Sequence, residues 1–307
     1  MVHATELRPT KLTERFEILR PLAAGGMGEV SIAYDQQQGD SCCIKSIPLE
    51  VDPVVVQRFV AESSVLVALE HPNVVPVRAY GVDDDHVWYA MDRMETSLYA
   101  KRRSAGTVDA MLATRWMVQS LAGLEALHRR GVVHRDVKLA NLLLDQEGVV
   151  RVADLGLARH PQGSVPYRTQ GERGLGTPDY AAPELFRDAA NADLRADLFG
   201  IAVCFFELVT GQPPSRFVLH PIEPVVLDFV PDAFINPLRI IGAPRPEHRY
   251  GTAREVAEAL CRAADQHANV HGLAPQGATW MHEFEAACPP LGFKAWVQAR
   301  LWHWGLR

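Results

Sequence analysis

The sequence HRDVKLAN at residues 134–141, followed by DLG at residues 154–156, decides the fold of this chain. The run GVVRVA at residues 148–153 lies between them, is rich in valine and is typical of a strand. A strand at that place would carry the second polar stretch back beside the first. The pattern therefore predicts one site that is assembled from both stretches.

Four side chains in these stretches have the chemistry that phosphoryl transfer needs. Asp136 can accept a proton from an attacking hydroxyl, and Lys138 can neutralise a phosphate. Asn141 and Asp154 supply oxygen ligands of the kind that hold Mg²⁺, or Mn²⁺ in its place, between phosphate groups. The alternative is an acidic surface turn that matches by chance. Further matching segments elsewhere in the chain argue against that alternative.

Length and composition fit a globular protein with one large or bilobal domain. The chain has 307 residues, of which 48% are hydrophobic and 22% are charged. Its net charge of −6 gives no nucleic-acid footprint. The 5 cysteines are odd in number and lack paired spacing. We therefore expect free thiols in a reducing compartment, without a disulfide framework or a zinc site.

No segment of the sequence predicts export or membrane insertion. The N-terminal residues MVHATELRPTKLTER lack the apolar core of a signal peptide. The longest apolar run, at residues 198–206, is too short to span a bilayer and continues into Glu207. We expect a cytoplasmic protein without a transmembrane segment.

The two polar stretches resemble the catalytic loop and the metal-binding loop of the eukaryotic-type serine/threonine protein kinases. The family patterns are HRDLKxxN and DFG, and Leu155 replaces the phenylalanine of the second. The resemblance implies an α+β fold with two lobes: a small antiparallel β-sheet lobe carrying one helix, called αC, and a larger, mainly helical lobe. It also implies ATP and Mg²⁺ as cofactors, with Asp136, Lys138 and Lys45 as catalytic residues.

A glycine turn near the N-terminus matches the loop that covers the phosphates in this family. Alternating apolar residues flank AAGGMG at residues 23–28, which indicates a β-hairpin. Glycines let backbone N–H groups approach phosphates closely, although a tight hairpin without a ligand is the alternative. In the family pattern GxGxxGxV, Ala23 replaces the first glycine, and GGMGEV is most similar to bacterial members. The resemblance implies nucleotide contacts from Leu22, Ala23, Gly25, Gly26, Gly28 and Val30.

The strand predicted at residues 41–47 contains the lysine of the family pattern VAIK. Alternation places Cys43 and Lys45 on one face of that strand. The resemblance puts Lys45 against the α- and β-phosphates and Cys43 against the adenine ring, where a small core residue is the alternative. A buried lysine needs a partner, and the family's lysine–glutamate pair implies Glu62 from αC. A solvent-facing Glu62 is the alternative.

A second predicted strand, at residues 87–91, leads to the adenine site. By resemblance, Met91 is the gatekeeper beside the adenine. Asp92, Arg93 and Met94 then form the hinge, whose backbone hydrogen-bonds the adenine. Their position in the pattern carries this prediction, since backbone contacts leave no side-chain signature.

Residues 157–176 form a long polar segment that is typical of an activation loop. Thr169 lies in its middle with Arg168 and Arg173 nearby, so we expect Thr169 to be an autophosphorylation site. Arg135 is the kind of residue that pairs with a loop phosphate in regulated kinases. The hydroxyl-bearing residues of this region are Ser164, Tyr167, Thr169 and Thr177.

The segment GTPDYAAPE at residues 176–184 resembles the end of a kinase activation loop. In that family Thr177 would bond the catalytic aspartate and lysine. Glu184 needs a buried cation, and Arg249 matches the family's partner. Asp197 would cap the backbone of the catalytic loop from below.

The last part of the chain departs from the family. Residues 215–231 are interrupted by prolines, so we expect little helix where kinases carry a docking helix. Residues 252–264 form a closing helix, and four of the 6 tryptophans follow it. We expect residues 265–307 to pack on the large lobe as a helix. Docking to a partner or to a membrane surface is the alternative.

The sequence thus predicts a lead-in at residues 1–14, a kinase domain at residues 15–264 and a tryptophan-rich extension at residues 265–307. The kinase domain divides into a small lobe (15–91), a hinge (92–95) and a large lobe (96–264). The implied reaction transfers the γ-phosphoryl group of ATP to serine or threonine hydroxyls of protein substrates. One alternative, suggested by Ala23 and Leu155, is a regulatory binding protein with a kinase fold and little catalysis. Another is a small-molecule phosphotransferase. The segment GTPDYAAPE at residues 176–184 argues against it, because small-substrate relatives of the family usually lack that segment.

Overall fold

The structure is a computed structural model that describes residues 11–25, 28–154, 178–187, 192–220, 223 and 227–289. Its first part is an antiparallel sheet of five strands in the order β1-β2-β3-β5-β4. The strands are β1 (Phe16–Gly25), β2 (Gly28–Asp35), β3 (Asp40–Pro48), β4 (Val77–Val82) and β5 (His86–Asp92). A short helix, α1 (Leu12–Arg15), precedes the sheet, and α2 (Pro53–Val67) packs against β4 and β5.

The register of the sheet puts the predicted nucleotide-binding residues on one face. Lys45 on β3 pairs with Val30 on β2 and with Tyr89 on β5. Cys43 pairs with Met91 in the same ladder. Because side chains alternate along a strand, these residues face the same side, as the sequence predicts for Cys43 and Lys45.

The second part of the chain is mainly helical and contains a small three-stranded sheet. Its strands are β6 (Thr96–Ser97), β7 (Leu142–Leu144) and β8 (Val150–Val152), in that order. Its helices are α3 (Leu98–Ala105), α4 (Ala110–His128), α5 (Pro183–Arg187), α6 (Arg195–Thr210), α7 (Pro214–Leu219), α8 (Asp232–Ile241), α9 (Ala253–His271) and α10 (Gly277–Ala287). The bilobal kinase architecture implied by the sequence is confirmed.

Helix α6 is the centre of the large lobe. Each of its residues from Ala196 to Leu208 is buried. Aromatic rings surround it, and Phe217 lies 5.2 Å from Phe206 and 6.2 Å from Phe199 between ring centroids. The N-terminal end of α6 lies under the predicted catalytic loop, so the most buried helix supports the most polar segment.

Two sequence predictions about the large lobe are wrong. We expected little helix in residues 215–231, yet α7 covers Pro214–Leu219. Proline fits the first turn of a helix, and the burial of Phe217 gives this short helix a tertiary anchor. The helix expected to close at residue 264 continues to His271, where Gly272 ends it in a left-handed conformation with φ +67.

The extension beyond the closing helix packs on the large lobe where the structure describes it. Helix α10 contacts α4 and α9 and buries Trp280 and Phe284. Arg129 at the end of α4 donates to the carbonyl of Pro289 over 2.7 Å. The packing prediction is therefore confirmed up to Pro289, and the rest of the extension, residues 290–307, lies outside the described residues.

All five cysteines are free and buried. Among the helices that the structure describes, none has the length and apolar character needed to cross a bilayer.

The close approach of α6 to the catalytic loop depends on Gly200. A Cβ at this position would lie 2.8 Å from Val137 Cβ and 2.9 Å from the Val137 carbonyl oxygen. Alanine normally stabilises a helix relative to glycine, but here we predict that Gly200→Ala lowers the free energy of unfolding by about 1–3 kcal/mol, because the core is overfilled. Urea denaturation measures this change in the free energy of unfolding. The matched control is Gly251→Ala, where the nearest atom is Glu255 Oε2 at 3.5 Å. Equal or greater stability of Gly200→Ala would contradict the packing.

Partial burial of His71 makes the stability of the fold depend on pH. His71 Nε2 lies 3.4 Å from Cys288 Sγ, and burial lowers the pKa of His71 to about 4. In the pH range between the ordinary histidine pKa and about 4, His71 is protonated in the unfolded chain but neutral in the folded chain. The free energy of unfolding therefore falls as the pH falls through this range.

We predict that, relative to His71→Asn, the wild type loses about 1–3 kcal/mol of unfolding free energy between pH 7 and pH 4. Urea titrations at several pH values measure the difference, with exposed His86→Asn as the matched control. Parallel pH dependences of the wild type and His71→Asn would show that His71 titrates normally in the folded chain.

Candidate active site

The catalytic loop is shaped by the buried side chain of His134. Its Nδ1 accepts the N–H of Asp136 over 3.2 Å, so Nε2 carries the proton and donates to the Ala153 carbonyl over 2.9 Å. The backbone N–H of Ala153 in turn donates to the Asn141 carbonyl over 2.9 Å. These bonds join the loop to the residue before Asp154, so the two polar stretches of the sequence meet.

Asp197 fixes the loop from beneath, as the sequence predicts. Its carboxylate accepts the backbone N–H groups of His134 over 2.8 Å and Arg135 over 2.7 Å. A third bond comes from His128 Nε2 over 2.8 Å. Burial alone would raise the pKa of Asp197, but the hydrogen bonds and charge of His128 and the N–H donors outweigh it and hold the pKa below its usual value.

Two residues at the ends of this arrangement have left-handed backbone conformations. Arg135 has φ 62 and Asp154 has φ 54, and neither is a glycine. Such conformations are uncommon outside glycine and cluster at functional sites. At Arg135 the hydrogen bond from the backbone N–H to Asp197 holds this conformation immediately before Asp136.

Asp136, Lys138 and Asn141 form one hydrogen-bonded group. Lys138 Nζ lies 2.8 Å from Asp136 Oδ2, and Asn141 Nδ2 donates to the same oxygen over 3.1 Å. Asn141 Nδ2 also donates to the Asp136 backbone carbonyl over 2.9 Å. The carboxylate is thereby oriented, and the amide oxygen of Asn141 keeps its capacity to accept or to ligate a cation.

Lys45 of the small lobe reaches Asp154 of the large lobe. Lys45 Nζ lies 2.8 Å from Asp154 Oδ1, and the Tyr89 hydroxyl lies 3.4 Å from the same oxygen. Burial raises the pKa of Asp154, but the charge and the hydrogen bond of Lys45 outweigh that effect and hold the pKa below its usual value. The carboxyl is therefore ionised at neutral pH. The side chain of Glu62 lies outside the described residues, and the Lys45–Glu62 pair remains a prediction.

An apolar cluster lies beside this ion pair on the sheet face. Cys43, Met91 and Ala153 are buried members of the cluster, and Val30 and Met94 pack against it. The structure therefore brings together four of the residues predicted to contact the nucleotide: Val30, Cys43, Met91 and Met94. Burial raises the pKa of the Cys43 thiol, which fits the small core residue considered as an alternative.

The glycine hairpin has the predicted form. Ala23 pairs with Val30, and Gly25 pairs with Gly28 across the turn. Gly28 has φ +132, and a Cβ there would lie 2.3 Å from the Ser46 carbonyl oxygen. Leu22 is 53% exposed. Gly28 thus has a backbone conformation and a close contact with Ser46 that favour glycine, and Gly26 lies outside the described residues.

An ion-pair network holds the start of the predicted hinge. Arg78 on β4 lies 2.6 Å from Asp92 and 2.5 Å from Asp40, and its Nη1 is 3.5 Å from Asp35. The backbone N–H of Asp92 donates to the Pro76 carbonyl over 3.0 Å. These contacts fix the backbone from which the hinge begins.

The predicted buried pair of Glu184 and Arg249 is confirmed. Two guanidinium nitrogens of Arg249 bind the carboxylate over 2.6 and 2.9 Å. Arg249 also lies 4.8 Å from the centroid of Phe199 on α6. The pair joins α5, which follows the activation-loop region, to the core of the large lobe.

The donor set fits a magnesium ion bound together with phosphates. No cluster of three or more His, Cys, Asp or Glu side chains suited to a metal occurs in the described part of the chain. Mg²⁺ usually takes one or two protein oxygens and completes its shell with water and substrate phosphates. Asn141 and Asp154 offer those oxygens, so the residues present fit the ion that the family implies.

Sequence reasoning missed three residues of this site. Tyr89 and Ala153 are buried beside Lys45 and Asp154, and Leu143 packs against the apolar cluster. Leu143 lies between buried Leu142 and Leu144 on β7 and faces the other side. Three consecutive leucines show no alternation in the sequence, so the face of Leu143 and the contact of Tyr89 with Asp154 both depend on the structure.

Several predictions fall outside the described residues and remain predictions. They concern the leucine and glycine after Asp154 and the proposed activation loop. The residues are Leu155, Gly156, Ser164, Tyr167, Thr169 and Thr177.

Comparison with known proteins adds several bacterial relatives. The probable serine/threonine-protein kinase PknB of Corynebacterium glutamicum is 31% identical over 274 residues, which cover 82% of this chain and 42% of that relative. The serine/threonine-protein kinase PknH of Mycobacterium tuberculosis is 30% identical over 87% of this chain and 45% of its own length. The serine/threonine-protein kinase pkn2 of Myxococcus xanthus is 32% identical over 66% of this chain and 25% of its own length. The chain thus spans less than half the length of these relatives.

A family model described as "Protein kinase domain" matches residues 16–220. That range begins at β1 and contains the glycine hairpin, Lys45, the catalytic loop and Asp197. The resemblance read from the sequence is therefore confirmed, and this chain belongs to the protein kinase domain family, with relatives named as bacterial serine/threonine-protein kinases.

Proposed function

We propose that this chain transfers the γ-phosphoryl group of ATP to serine or threonine hydroxyls of protein substrates. The observation that carries the proposal is the convergence of Lys45, Asp136, Asn141 and Asp154 from separate segments onto one site. The names of the relatives support the same reaction class. Free, buried thiols at all five cysteines support our placement of the protein in the cytoplasm.

Asp136 is the group that we propose orients the attacking hydroxyl and accepts its proton. Its Oδ2 is held by Lys138 and Asn141, which leaves the carboxylate in one orientation. Lys138 then neutralises charge that develops on the transferred phosphoryl group. Positioning and electrostatic stabilisation are the main sources of rate in this chemistry.

Asn141 Oδ1 and the Asp154 carboxylate would hold Mg²⁺, with Mn²⁺ as an alternative, and the ion would neutralise charge between the β- and γ-phosphates. Lys45 occupies Asp154 Oδ1 in this structure. We propose that Lys45 exchanges this carboxylate for the α- and β-phosphates when ATP binds. The Lys45–Asp154 pair thus neutralises both charges in this structure.

The apolar cluster would receive the adenine. We propose contacts with Val30, Cys43, Met91 and Leu143, and hydrogen bonds from the hinge backbone at Asp92 and Met94. The glycine hairpin, with Leu22, Ala23, Gly25, Gly26 and Gly28, would cover the phosphates. The domain division, with a hinge at residues 92–95, is proposed on the same basis.

The surroundings of Arg135 are evidence for a regulatory phosphate that would bind near the catalytic loop. Its Nε is buried and has no hydrogen-bond partner among the described residues, while Nη2 donates to the Ala192 carbonyl over 3.4 Å. A buried unpaired donor is costly, and a phosphate oxygen would satisfy it. We propose that this phosphate is carried by Thr169.

Asp136→Asn removes the proposed proton acceptor but keeps the size of the side chain. We predict that the rate of transfer from radiolabelled ATP to a serine/threonine peptide mixture falls by about 10²- to 10⁴-fold, since general-base catalysis contributes that much. Exposed Asp228→Asn is the matched control and should retain wild-type activity. A variant as active as the wild type would remove Asp136 from the mechanism. A wild type that binds ATP but transfers no phosphate would favour the regulatory kinase-fold alternative.

Phosphopeptide mass spectrometry tests the modification of the loop. We predict phosphate on Thr169 in wild-type protein that has been incubated with ATP, and its loss in Asp136→Asn. Thr169→Val tests the consequence, because a loop phosphate that pairs with Arg135 should raise activity and Thr169→Val should not gain from preincubation with ATP. Phosphate that appears equally in Asp136→Asn would come from another enzyme and would refute autophosphorylation.

A further inference from the structure

Tyr89 lies at the junction of the two groups that would handle phosphate and metal. Its side chain is 1% exposed. Its hydroxyl lies 3.4 Å from Asp154 Oδ1, the same oxygen that Lys45 Nζ binds over 2.8 Å. Lys45 Nζ also lies 5.9 Å from the centroid of the Tyr89 ring. One phenol therefore contacts both members of the ion pair.

Packing fixes the position of this hydroxyl. The Tyr89 ring lies 5.2 Å from the Phe59 ring of α2, with an interplanar angle of 33°. Both rings belong to the apolar cluster that contains Cys43 and Met91. On the sheet, Tyr89 is paired in register with Lys45 on one side and with Tyr80 on the other. A tyrosine ring held on strand and helix at once presents its hydroxyl in one direction.

Asp154 needs such a support more than an ordinary aspartate does. It has a left-handed backbone with φ 54 and follows the end of β8. Its present partner Lys45 is the group that, under the proposed function, moves to the phosphates. Without a second donor, the carboxylate would then be free to rotate at the moment when a metal must be held.

We propose that the Tyr89 hydroxyl is a positioning group for Asp154. It keeps Oδ1 of the carboxylate in place after Lys45 turns to the phosphates, so that the other carboxylate oxygen stays directed at the metal. This inference rests on the proposed function, since it assigns Asp154 to the metal. The competing interpretation is a phenol that serves the core alone and touches the carboxylate incidentally.

The hydroxyl and the ring have separable consequences. Tyr89→Phe removes the donor and keeps the packing of the ring. A bond of this length lies at the weak end of hydrogen bonds to a charged group, so we expect its loss to weaken metal binding by about threefold to tenfold. Affinity for the nucleotide at saturating metal should change by less than about twofold, because the adenine contacts and the lysine remain.

Metal binding can be measured without turnover. Electron paramagnetic resonance of free Mn²⁺ gives the half-saturating Mn²⁺ concentration of the full chain with a non-hydrolysable ATP analogue. For Tyr89→Phe we expect this concentration to rise by about threefold to tenfold, and the Mg²⁺ requirement of peptide phosphorylation to rise in parallel. Unchanged Mn²⁺ binding in Tyr89→Phe would overturn the inference while leaving the proposed function intact. Failure of the wild type to bind Mn²⁺ with the nucleotide analogue would overturn both.

Two further variants separate positioning from stability. Tyr80→Phe makes the same substitution in the neighbouring strand and on the same cluster, and should leave Mn²⁺ binding unchanged. Phe59→Leu loosens the ring contact, whereas the hydroxyl and the strand pairing of Tyr89 stay, so we expect a lower Tm and a weaker effect on Mn²⁺ binding than in Tyr89→Phe. Weakened Mn²⁺ binding in all three variants, in step with Tm, would show a packing role only and refute the positioning role.

Discussion

The site depends on one buried carboxylate beneath the catalytic loop. Asp197 is 1% exposed and lies near the start of the most buried helix of the large lobe. An ionised carboxylate in that position is costly unless donors surround it, and the N–H groups of His134 and Arg135 together with His128 supply them. Because the buried carboxylate requires these donors, it fixes the backbone at His134 and Arg135. Because those N–H groups belong to the residues before Asp136, the constraint directs the proposed proton acceptor.

A second constraint joins the lobes through a charged contact, in addition to the apolar cluster that they share. Lys45 belongs to the five-stranded sheet and Asp154 to the segment after β8, and their 2.8 Å contact spans the site. A bound triphosphate would compete for the lysine and a metal would compete for the carboxylate. The pair thus consists of the same two groups that ligands would use. Binding would exchange these partners without leaving either charge unpaired.

Much of this arrangement could be predicted from the sequence, because its parts have local signatures. Strand alternation was sufficient to put Cys43 and Lys45 on one face, and the spacing of polar residues was sufficient to group Asp136 with Asn141. The roles of Asp197 and Arg249 followed from the family resemblance and from the rule that buried charges need partners. Each of these predictions depends on a period, a motif or a charge that the sequence displays.

The rest depends on contacts between distant segments, for which no local pattern exists. In the sequence, Tyr89 is indistinguishable from the apolar residues of a buried strand. Only the fold places its hydroxyl beside Asp154. Prolines favoured the absence of helix after Pro214, but the burial of Phe217 outweighed their local preference. The continuation of α9 to His271 has a similar cause, since α10 packs against it and buries Trp280.

A crystal structure with Mg²⁺ and a non-hydrolysable ATP analogue tests the central claim most directly. The claim is that Lys45, Asp136, Asn141 and Asp154 surround one metal-bound triphosphate. It predicts Mg²⁺ at about 2.0–2.1 Å from Asn141 Oδ1 and an Asp154 carboxylate oxygen, with Lys45 moved to the phosphates and the γ-phosphate facing Asp136. A nucleotide bound elsewhere, or a metal held by other residues while Lys45 stays on Asp154, would contradict it.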